Sequence, residues 1–589
     1  MERFKPQLAE WLSAATETKV LPIELETPPD RTMGDFAYPC FRLAKSLRKA
    51  PPVIAQEIAA KIKANHPDSR FEVKAAGPYV NFTLSVNSAV ESVLGEILSS
   101  NAYGTLPKNS REKWVFEYSS PNVAKPFQIY HLRTTIVGSA LSKIAKLRGY
   151  DVTTINHLGD WGTQYGKLAI ALKRYASELP ETLTLKDLVS IYIRIHKDIE
   201  SDPSIEKAGQ EAFLKLEQGD PEMRAIWKKC VDISIGEFKK TYERYQVTFD
   251  HYWGESHYQD QLKPLLKKLK DEKILVEDQG AWIVRVTSRD GHEIPPSILE
   301  KSDGASIYAS RDVAAAIYRY EQFHFKRMSY IVGKEQKLHF EQVFGVLRAM
   351  GLPWESVCEH IPTGLYRFKD AKMSTRKGNF ITLEEVNDLC VEKALRLMHE
   401  RAAAQDAGEQ NAHKEAQKLT ESEILKIADQ VAVGAIVFAD LSTDPTKDLD
   451  FDVDRIISFE GETGPYLQYA HTRCSSILRK ANVDVEKLAA GKIQSFAKIY
   501  QNEHEINLIK TLGRFPSALE RALEQRKPSQ LAIYLIDLTR DFGVFYRECK
   551  VVNADNQELT LARASLVSAT RKVLSKGLDI LGIPKPDKM

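Results

Sequence analysis

The sequence has few cysteines, no long apolar run and almost no excess of charge of one sign. Its six cysteines are scattered through 589 residues with no Cys-x-x-Cys pair, which disfavours a zinc site or a disulfide framework and is typical of a reducing compartment. There is no run of about 18 apolar residues, so no membrane-spanning helix is predicted. The first residues lack the apolar core of a signal peptide and include Glu2 and Glu10, so we expect a cytoplasmic protein.

Charge is balanced over the whole chain but is concentrated in two places. The net charge is +2, from 82 basic and 80 acidic residues, and it indicates no dominant charged partner. Seven Lys or Arg residues lie within 111–150 against two acidic residues, and five lie within 364–378 against one. A single such run is usually a solvated helix face, whereas two runs that coincide with candidate nucleotide-binding segments favour contacts with an anion.

A strand–helix–strand pattern marks the middle of the chain. Lys113–Tyr118 is predicted to be a strand, Thr134–Arg148 a helix and Asp151–Leu158 a second strand. This βαβ unit predicts an α/β fold built on a parallel, doubly wound sheet, and the ligands of such sheets bind at the carboxyl ends of the strands.

The length predicts about three to five domains. Residues 1–105 are expected to form a small α/β domain, because a helical segment interrupted at Pro51-Pro52 precedes alternating residues from Phe71 to Leu84. The later domains are expected at 111–395 (a Rossmann-type domain with a helical insertion near 165–275), 396–455 (a helical connector) and 456–589 (an all-helical bundle). In the bundle, one buried helix face is predicted from residues that recur at steps of four and three: Leu531, Leu535, Leu538, Phe542 and Phe545. A long exposed helix is expected at 401–418.

Two segments far apart in the chain carry the residue types that a triphosphate requires. The first is residues 119–131, SSPNVAKPFQIYH, and the second is residues 372–378, KMSTRKG. Together they resemble the two ATP-binding signatures of class I aminoacyl-tRNA synthetases, and the surrounding residues resemble the arginyl-tRNA synthetase family. The resemblance extends over nearly the whole chain and is weakest at 165–275 and 400–425.

Adenylation joins two anions, a carboxylate and the α-phosphate of ATP, so we expect catalysis by positive charge and positioning without a side-chain nucleophile. His131, near the start of a predicted helix, can donate to a phosphate together with the backbone N–H groups there. The resemblance implies that Lys125, His131 and Lys372 are catalytic. It implies ATP contacts for Lys125, Gln128, His131, His339, Lys372, Met373 and Ser374. Mg²⁺ is expected to accompany ATP, with no tightly bound metal.

The first segment departs from the family pattern His-x-Gly-His at two positions. Gln128 replaces a histidine, and its amide can donate to a phosphate but cannot become cationic. Tyr130 replaces a glycine on which adenine lies in the family, so its ring could occupy that space. Two outcomes remain open at this point: Tyr130 stacks on or beside adenine in a working variant of the site, or ATP binding is impaired.

An arginine substrate needs carboxylates in forked geometry together with neutral hydrogen-bonding groups. Glu117 ends the first strand, and Tyr308 and Asp312 are four residues apart, on one face if that segment is helical. The resemblance implies that Glu117, Tyr308 and Asp312 hold the guanidinium, while Asn122 and Gln336 hold the α-amino group. Taken singly, such an Asp usually belongs to a structural salt bridge and such a Tyr to the core. Because a polar pocket of this kind rejects other amino acids unaided, no editing domain is expected.

Two further segments resemble the family's RNA-contacting regions. Residues 77–82, GPYVNF, resemble a signature of the N-terminal domain, which contacts the tRNA elbow in the family. Residues 461–473, GETGPYLQYAHTR, resemble the start of the helical anticodon-binding domain, whose rings can stack on splayed bases. The alternative for these rings is a place in the helix core. The implied tRNA-binding residues are Asn81, Phe82, Tyr466, Tyr469 and His471.

The sequence thus predicts an arginine–tRNA ligase that uses ATP and L-arginine to charge tRNA(Arg), releasing AMP and pyrophosphate. The alternative is a synthetase-like tRNA-binding paralogue whose adenylation is impaired by Gln128 and Tyr130. We expect a monomer without a membrane partner, because no heptad runs typical of a dimer are present.

Overall fold

The computed structural model describes residues 4–28, 30–67, 70–302, 307–368, 382–406, 419–488 and 491–589. The chain divides into two compact units. The first unit comprises Met1–Thr105, Tyr469–Arg521 and Ile533–Gly577. The second comprises Leu106–Gln468, Ala522–Ala532 and Leu578–Met589.

The N-terminal part of the first unit packs helices on a small antiparallel sheet. Its strands are β1 (Phe36–Pro39), β2 (Phe71–Ala76) and β3 (Tyr79–Leu84), in the order β1-β3-β2. Its helices are α1 (Lys5–Thr16), α2 (Phe41–Leu47), α3 (Pro51–Asn65), α4 (Val86–Ala89) and α5 (Gly95–Ser99). The predicted interruption at Pro51-Pro52 is confirmed, because Pro51 opens α3 at the first helical position, where a missing N–H costs nothing.

The second unit is built on the predicted parallel sheet. Its strands are β4 (Lys113–Glu117), β5 (Asp151–Asn156), β6 (His251–Tyr252), β10 (Arg327–Gly333) and β11 (Cys358–Thr363). All neighbouring pairs are parallel, in the order β11-β10-β4-β5-β6. Strand β4 lies between β5 and β10. From β4 the chain continues to β5 and β6 on one side, and it later adds β10 and β11 on the other. Open α/β sheets bind ligands at the carboxyl ends of the strands where the order reverses in this way.

Helices cover this sheet and fill the expected insertion. They are α6 (Ile129–Leu147), α7 (Gln164–Arg174), α8 (Leu185–Ser201), α9 (Ser204–Glu217), α10 (Pro221–Arg244), α11 (Gln259–Asp271), α12 (Tyr308–Phe323) and α13 (Lys337–Ala349). Helix α6 begins five residues before the predicted Thr134, so His131 lies in its first turn. A small antiparallel sheet of β7 (Val276–Asp278), β8 (Ala281–Thr287) and β9 (Glu293–Glu300) packs beside α13.

The rest of the chain is mainly helical. Its helices are α14 (Leu383–Asp406), α15 (Glu421–Leu441), α16 (Val453–Ile456), α17 (Gly464–Ala481), α18 (Val485–Leu488), α19 (Ile493–Ile499), α20 (Glu503–Leu512), α21 (Phe515–Gln525), α22 (Ser529–Glu548) and α23 (Gln557–Leu581). The predicted buried face of α22 is confirmed, since the five residues from which it was predicted are at most 2% exposed. Two short strands, β12 (Tyr366–Phe368) and β13 (Leu449–Phe451), pair in parallel. Most of the helix expected at 401–418 lies outside the described residues.

The six cysteines are all buried and unpaired. Burial is the main cause that raises the pKa of every one of these thiols. In the part of the chain that the structure describes, no helix combines the length and the apolar character needed to cross a membrane.

Candidate nucleotide and amino-acid site

The loop that follows β4 is held in an unusual backbone conformation. Ser119, Ser120 and Ala124 have φ angles of 79°, 51° and 59°, in the left-handed region that costs a residue with a Cβ about 1 kcal/mol or more. Side chains of the insertion and of β5 hold the loop there. Ser119 Oγ lies 2.9 Å from Tyr242 Oη, the Ser120 N–H donates to Asn156 Oδ1 over 3.2 Å, and the Ala124 N–H donates to Ser234 Oγ over 3.0 Å. Strain of this kind is maintained where the surroundings fix a functional geometry.

His131 is buried in the first turn of α6 and is neutral. Its Nδ1 accepts the backbone N–H of Gln128 over 3.2 Å, so Nε2 carries the proton and can donate to a ligand. Burial first, and then the charge of Lys125, lower the pKa of His131 to about 3. The group therefore acts at neutral pH as a hydrogen-bond donor without positive charge, and the exposed Lys125 is the cation of this loop.

Gln128 caps the start of α6 beside this histidine. Its side-chain Oε1 is buried and has no hydrogen-bond partner among the described residues. A buried amide oxygen without a partner costs about 1–3 kcal/mol, so the position is suited to accept an N–H group from a ligand. The backbone of Gln128 also bridges that of Thr382, four residues after the end of the second motif.

Tyr130 lies at the mouth of this turn and does not belong to the core. Its side chain is 39% exposed, and its ring centroid is 4.3 Å from that of His131, with the two planes inclined by 58°. The ring therefore stands beside the donor histidine, where a flat ligand can contact it. Of the second motif, Lys372, Met373 and Ser374 lie outside the described residues.

Glu117 forms a buried ion pair that the sequence did not reveal. Its carboxylate accepts from the guanidinium of Arg319 on α12, and the two side chains are 6% and 1% exposed. Arg319 also donates to Tyr258 Oη over 3.1 Å and to His157 Nδ1 over 3.2 Å. The signal was present in the spacing, because Arg319 lies seven residues after Asp312 and therefore on the same helix face.

Asp312 is flanked by two histidines. His339 Nε2 donates to its Oδ2 over 2.5 Å, and His157 Nε2 lies 3.6 Å from its Oδ1. Burial raises the pKa of Asp312, but the hydrogen bond from His339 and the charges of the neighbouring histidines and Arg319 outweigh burial and lower it. Burial lowers the pKa of His339, and its contacts with Asp312 outweigh burial and raise it. Glu117, Arg319, His157, Asp312 and His339 thus form one continuous polar network.

The other expected arginine contacts are more peripheral. Asn122 is half-buried, and its backbone bridges that of Gly159, where an added Cβ would lie 2.3 Å from Asn122 Oδ1. Tyr308 is 66% exposed at the first position of α12, and Gln336 is exposed in the turn before α13. The structure therefore brings Glu117, Asp312 and His339 together and leaves Tyr308 and Gln336 at the surface. Among the described residues, no group of three His, Cys, Asp or Glu side chains could hold a metal ion.

The residues expected to contact RNA have different environments. Phe82 is fully buried and packs edge-on against Phe71, and Asn81 is 5% exposed. In this structure both therefore belong to the core of the N-terminal sheet, and only a rearrangement would bring the Phe82 ring to a base. Tyr466, Tyr469 and His471 are half-buried on α17, and the Tyr469 hydroxyl accepts from Arg473 over 2.6 Å.

Family models match the chain along most of its length. The catalytic domain of class I tRNA synthetases (R) matches residues 93–453, the DALR anticodon binding domain matches 467–589, and the N-terminal domain of arginyl tRNA synthetase matches 2–84. Two curated relatives, both named arginine–tRNA ligase, come from Clostridium kluyveri and Clostridium botulinum. They are 39% and 38% identical over the full length of both chains.

Solved structures show the same architecture. The arginyl-tRNA synthetase of Thermus thermophilus aligns with a TM-score of 0.79 and 25% identity, over 99% of this chain and 100% of that one. The arginyl-tRNA synthetase of Plasmodium falciparum has a TM-score of 0.77 at 23% identity, over 100% of both chains, which shows the fold. The fold class predicted from the sequence is thereby confirmed, including the helical C-terminal part.

Proposed function

The chain belongs to the arginyl-tRNA synthetase family, and from this premise we propose how its own residues carry out the reaction. The enzyme is an ATP-dependent arginine–tRNA ligase: it activates L-arginine as the adenylate and transfers it to tRNA(Arg), with release of AMP and pyrophosphate. Full-length relatives of that name support this reading over an impaired tRNA-binding paralogue. The resemblance also implies that bound tRNA is needed for activation.

The nucleotide is handled by charge and by fixed donors. Lys125 and the first turn of α6 attract the phosphates, and the neutral His131 donates from Nε2 to an oxygen that gains charge in the transition state. Gln128 offers a buried oxygen to a ligand N–H. Lys372, Met373 and Ser374 complete the contacts in this proposal, and Mg²⁺ accompanies ATP as part of the substrate.

The substrate guanidinium is recognised by Asp312, with Tyr308 at the pocket mouth. Glu117 contributes mainly through Arg319, which occupies its carboxylate and links it to His157. Asn122 and Gln336 are assigned to the α-amino group. A ligand without a full guanidinium cannot make the forked hydrogen bonds that would compensate for displacing His339 from Asp312, so lysine, ornithine and citrulline are rejected without editing.

The observation that carries this proposal is the network from Glu117 to His339 at the carboxyl end of a parallel sheet, together with the donor His131 in the first turn of α6. The test is attachment of radiolabelled arginine to total tRNA with ATP and Mg²⁺, with pyrophosphate exchange measured with and without tRNA. Charging of arginine alone among the twenty amino acids is expected. A folded protein that binds tRNA but charges none of them would overturn the proposal.

Tyr130 is proposed to be an adapted part of the nucleotide site. Its partial exposure beside His131 supports a stacking role against adenine. Tyr130→Ala is expected to raise the KM for ATP several-fold, by about 1 kcal/mol of lost stacking, while Tyr130→Phe leaves it unchanged. A gain in activity for Tyr130→Ala would instead show that the ring obstructs ATP.

We propose that three residues of α17 contact tRNA. Tyr466, Tyr469 and His471 are half-buried, which leaves part of each ring available for stacking. Asn81 and Phe82 would act by shaping the N-terminal surface. We also propose a cytoplasmic monomer, and sedimentation at micromolar concentration with and without tRNA tests the oligomeric state.

A further inference from the structure

A buried cluster links helix α6, just after the first nucleotide-binding segment, to the strand that precedes the second segment in sequence. Arg133 follows His131 by two residues on α6, and its side chain is 1% exposed. Its Nε lies 3.3 Å from Oδ1 of Asp440, which is fully buried near the end of α15. Tyr366, the first residue of β12, donates its hydroxyl to Oδ2 of the same carboxylate. Three elements therefore meet on one carboxylate.

The Arg133 guanidinium also donates to one backbone carbonyl before β12 and to one before β13. Arg133 Nη1 donates to the carbonyl oxygen of Leu365 over 3.4 Å, and Nη2 donates to that of Asp444 over 3.5 Å. The Leu365 carbonyl also accepts the N–H of Leu449 over 2.8 Å, at the start of the β12–β13 pairing. One side chain of α6 thus fixes the start of β12, and the second motif follows that strand four residues after its end.

Residues 440–451, which include the end of α15 and strand β13, also contact the amino-acid side of the site. Asp448 accepts from Lys334 Nζ over 2.5 Å, from the Leu365 N–H over 2.9 Å and from Arg367 over 2.6 Å. The hydrogen bond from Lys334 is the largest cause that lowers the pKa of Asp448. Lys334 lies two residues before Gln336, so residues 440–451 contact α6 two residues after His131 and also the turn that carries Gln336.

These contacts are poorly explained as a source of stability. Burying an arginine and a carboxylate together removes both ions from water at a cost, and well-packed apolar residues often stabilise a fold equally well or better. Burial raises the pKa of Asp440, while the charge of Arg133 and the Tyr366 hydroxyl oppose this. What the cluster supplies is position, because the ion pair holds Arg133 against Asp440 while the planar guanidinium directs Nη1 and Nη2 at two backbone carbonyls.

We propose that Arg133, Asp440 and Tyr366 are positioning residues for ATP, which set the spacing between the turn that carries His131 and the strand that leads into residues 372–378. The inference rests on the proposed function, because it requires both segments to engage one triphosphate. None of the three side chains needs to touch ATP. A displacement of about 1 Å between groups that act on one substrate can reduce the rate about a hundredfold.

The test compares ATP use with stability in three variants. Arg133→Lys keeps the charge but loses the fork, Tyr366→Phe removes only the hydroxyl, and the double variant Arg133→Met with Asp440→Leu removes both charges and leaves none unpaired. Each is expected to lower kcat/KM for ATP about 10- to 100-fold, with KM for arginine changed less than about twofold. The matched control is Arg348→Lys, since Arg348 likewise contacts a buried carboxylate, Glu355 at 2.8 Å, and a backbone carbonyl, that of Thr287 at 2.6 Å.

Thermal unfolding separates a structural role from a positioning role. The control is expected to lower the melting temperature and leave kcat/KM for ATP unchanged, whereas the double variant is expected to melt near the wild type and still lose kcat/KM for ATP. A wild-type kcat/KM for ATP in the double variant overturns the inference. If Arg133→Lys fails to fold, Tyr366→Phe and the double variant decide in the same way. A wild-type protein that charges no arginine refutes the proposed function instead, so the two failures are distinguishable.

Discussion

His339 donates from Nε2 to Asp312 Oδ2 over 2.5 Å, so the carboxylate proposed to recognise arginine is already engaged by a side chain of the protein. His157 faces the other oxygen of Asp312 at 3.6 Å. A guanidinium that binds Asp312 has to compete with these imidazoles. The competition is strongest when His339 is protonated, because the pair is then an ion pair.

This competition makes arginine binding depend on pH. The pKa of His339 is raised above its ordinary value of 6.5. His339 is therefore an imidazolium at pH values below this raised pKa, and it becomes neutral as the pH rises through it. As the pH rises through that pKa, the KM for arginine is expected to fall by a factor of about three to ten per pH unit. Tenfold is the limit because only one proton is lost. Steady-state assays between pH 6 and 9 measure it.

Variants of the two histidines are the control for that profile. His339→Gln retains a donor that does not titrate, so the slope is expected to flatten, and His157→Gln tests the second imidazole. A wild-type profile in His339→Gln would show that another group causes the pH dependence. The raised pKa also stabilises the fold below pH 6.5, and this contribution is lost as the pH rises through the folded value.

The pair between Arg319 and Glu117 is expected to be costly to break. Arg319→Met leaves a 6%-exposed carboxylate without its partner, which typically costs about 3–5 kcal/mol. Arg319→Lys keeps the charge but loses the fork to Tyr258 and His157, so a smaller loss is expected. Urea unfolding of the three proteins measures the difference, and equal midpoints would contradict a buried, unscreened pair.

His131 affects acid stability in the opposite direction from His339. Its folded pKa of about 3 lies below the ordinary 6.5, so the unfolded chain binds the extra proton between these values. The free energy of unfolding is therefore expected to fall as the pH falls from 6.5, by about 1.4 kcal/mol per pH unit for this one group. Urea titrations from pH 7 to pH 5 should give a shallower slope for His131→Gln, and parallel slopes would argue against a neutral buried imidazole.

Two glycines in residues 461–473 are required for different reasons. A Cβ on Gly464 would lie 2.1 Å from the carbonyl oxygen of Gly434 on α15, so Gly464→Ala is expected to lower the free energy of unfolding by about 1–3 kcal/mol. Gly461 has φ +81° and open space around its Cβ position, so Gly461→Ala should cost only about 1 kcal/mol of backbone strain. A larger loss at Gly461 than at Gly464 would reverse this assignment.

The elements that the sequence predicted well are those whose pattern is local. The βαβ spacing from Lys113 to Leu158 predicted the parallel pairing, because a short strand followed by a helix has few ways to return to its neighbour. The buried face of α22 followed from its period alone. By contrast, β9 contains Pro295 and Pro296, residues that argue against a strand. The structure accommodates them on an edge strand with register shifts against β8.

The site was harder to predict, because its key contacts join distant parts of the chain. Glu117 and Asp312 were singled out by type and position, but their engagement by Arg319 and His339 depends on how α12 and α13 pack on the sheet. Burial likewise determined the outcome for Phe82: the residue lies in the motif, yet strand alternation turns its ring into the core. A motif identifies residue types, and only packing determines which of them face a ligand.

Because all six thiols are buried, this chain is well suited to cysteine-labelling experiments. Only the thiolate is nucleophilic. Each thiol here is buried and has a raised pKa, so the folded protein should resist maleimides and alkylating agents. Cys40, Cys474 and Cys549 lie in the first unit, and Cys230, Cys358 and Cys390 lie in the second. The labelling pattern after brief heating therefore identifies which unit opens first. One cysteine introduced at an exposed position such as Ile23, which is 84% exposed, would give a single site for a fluorescent dye.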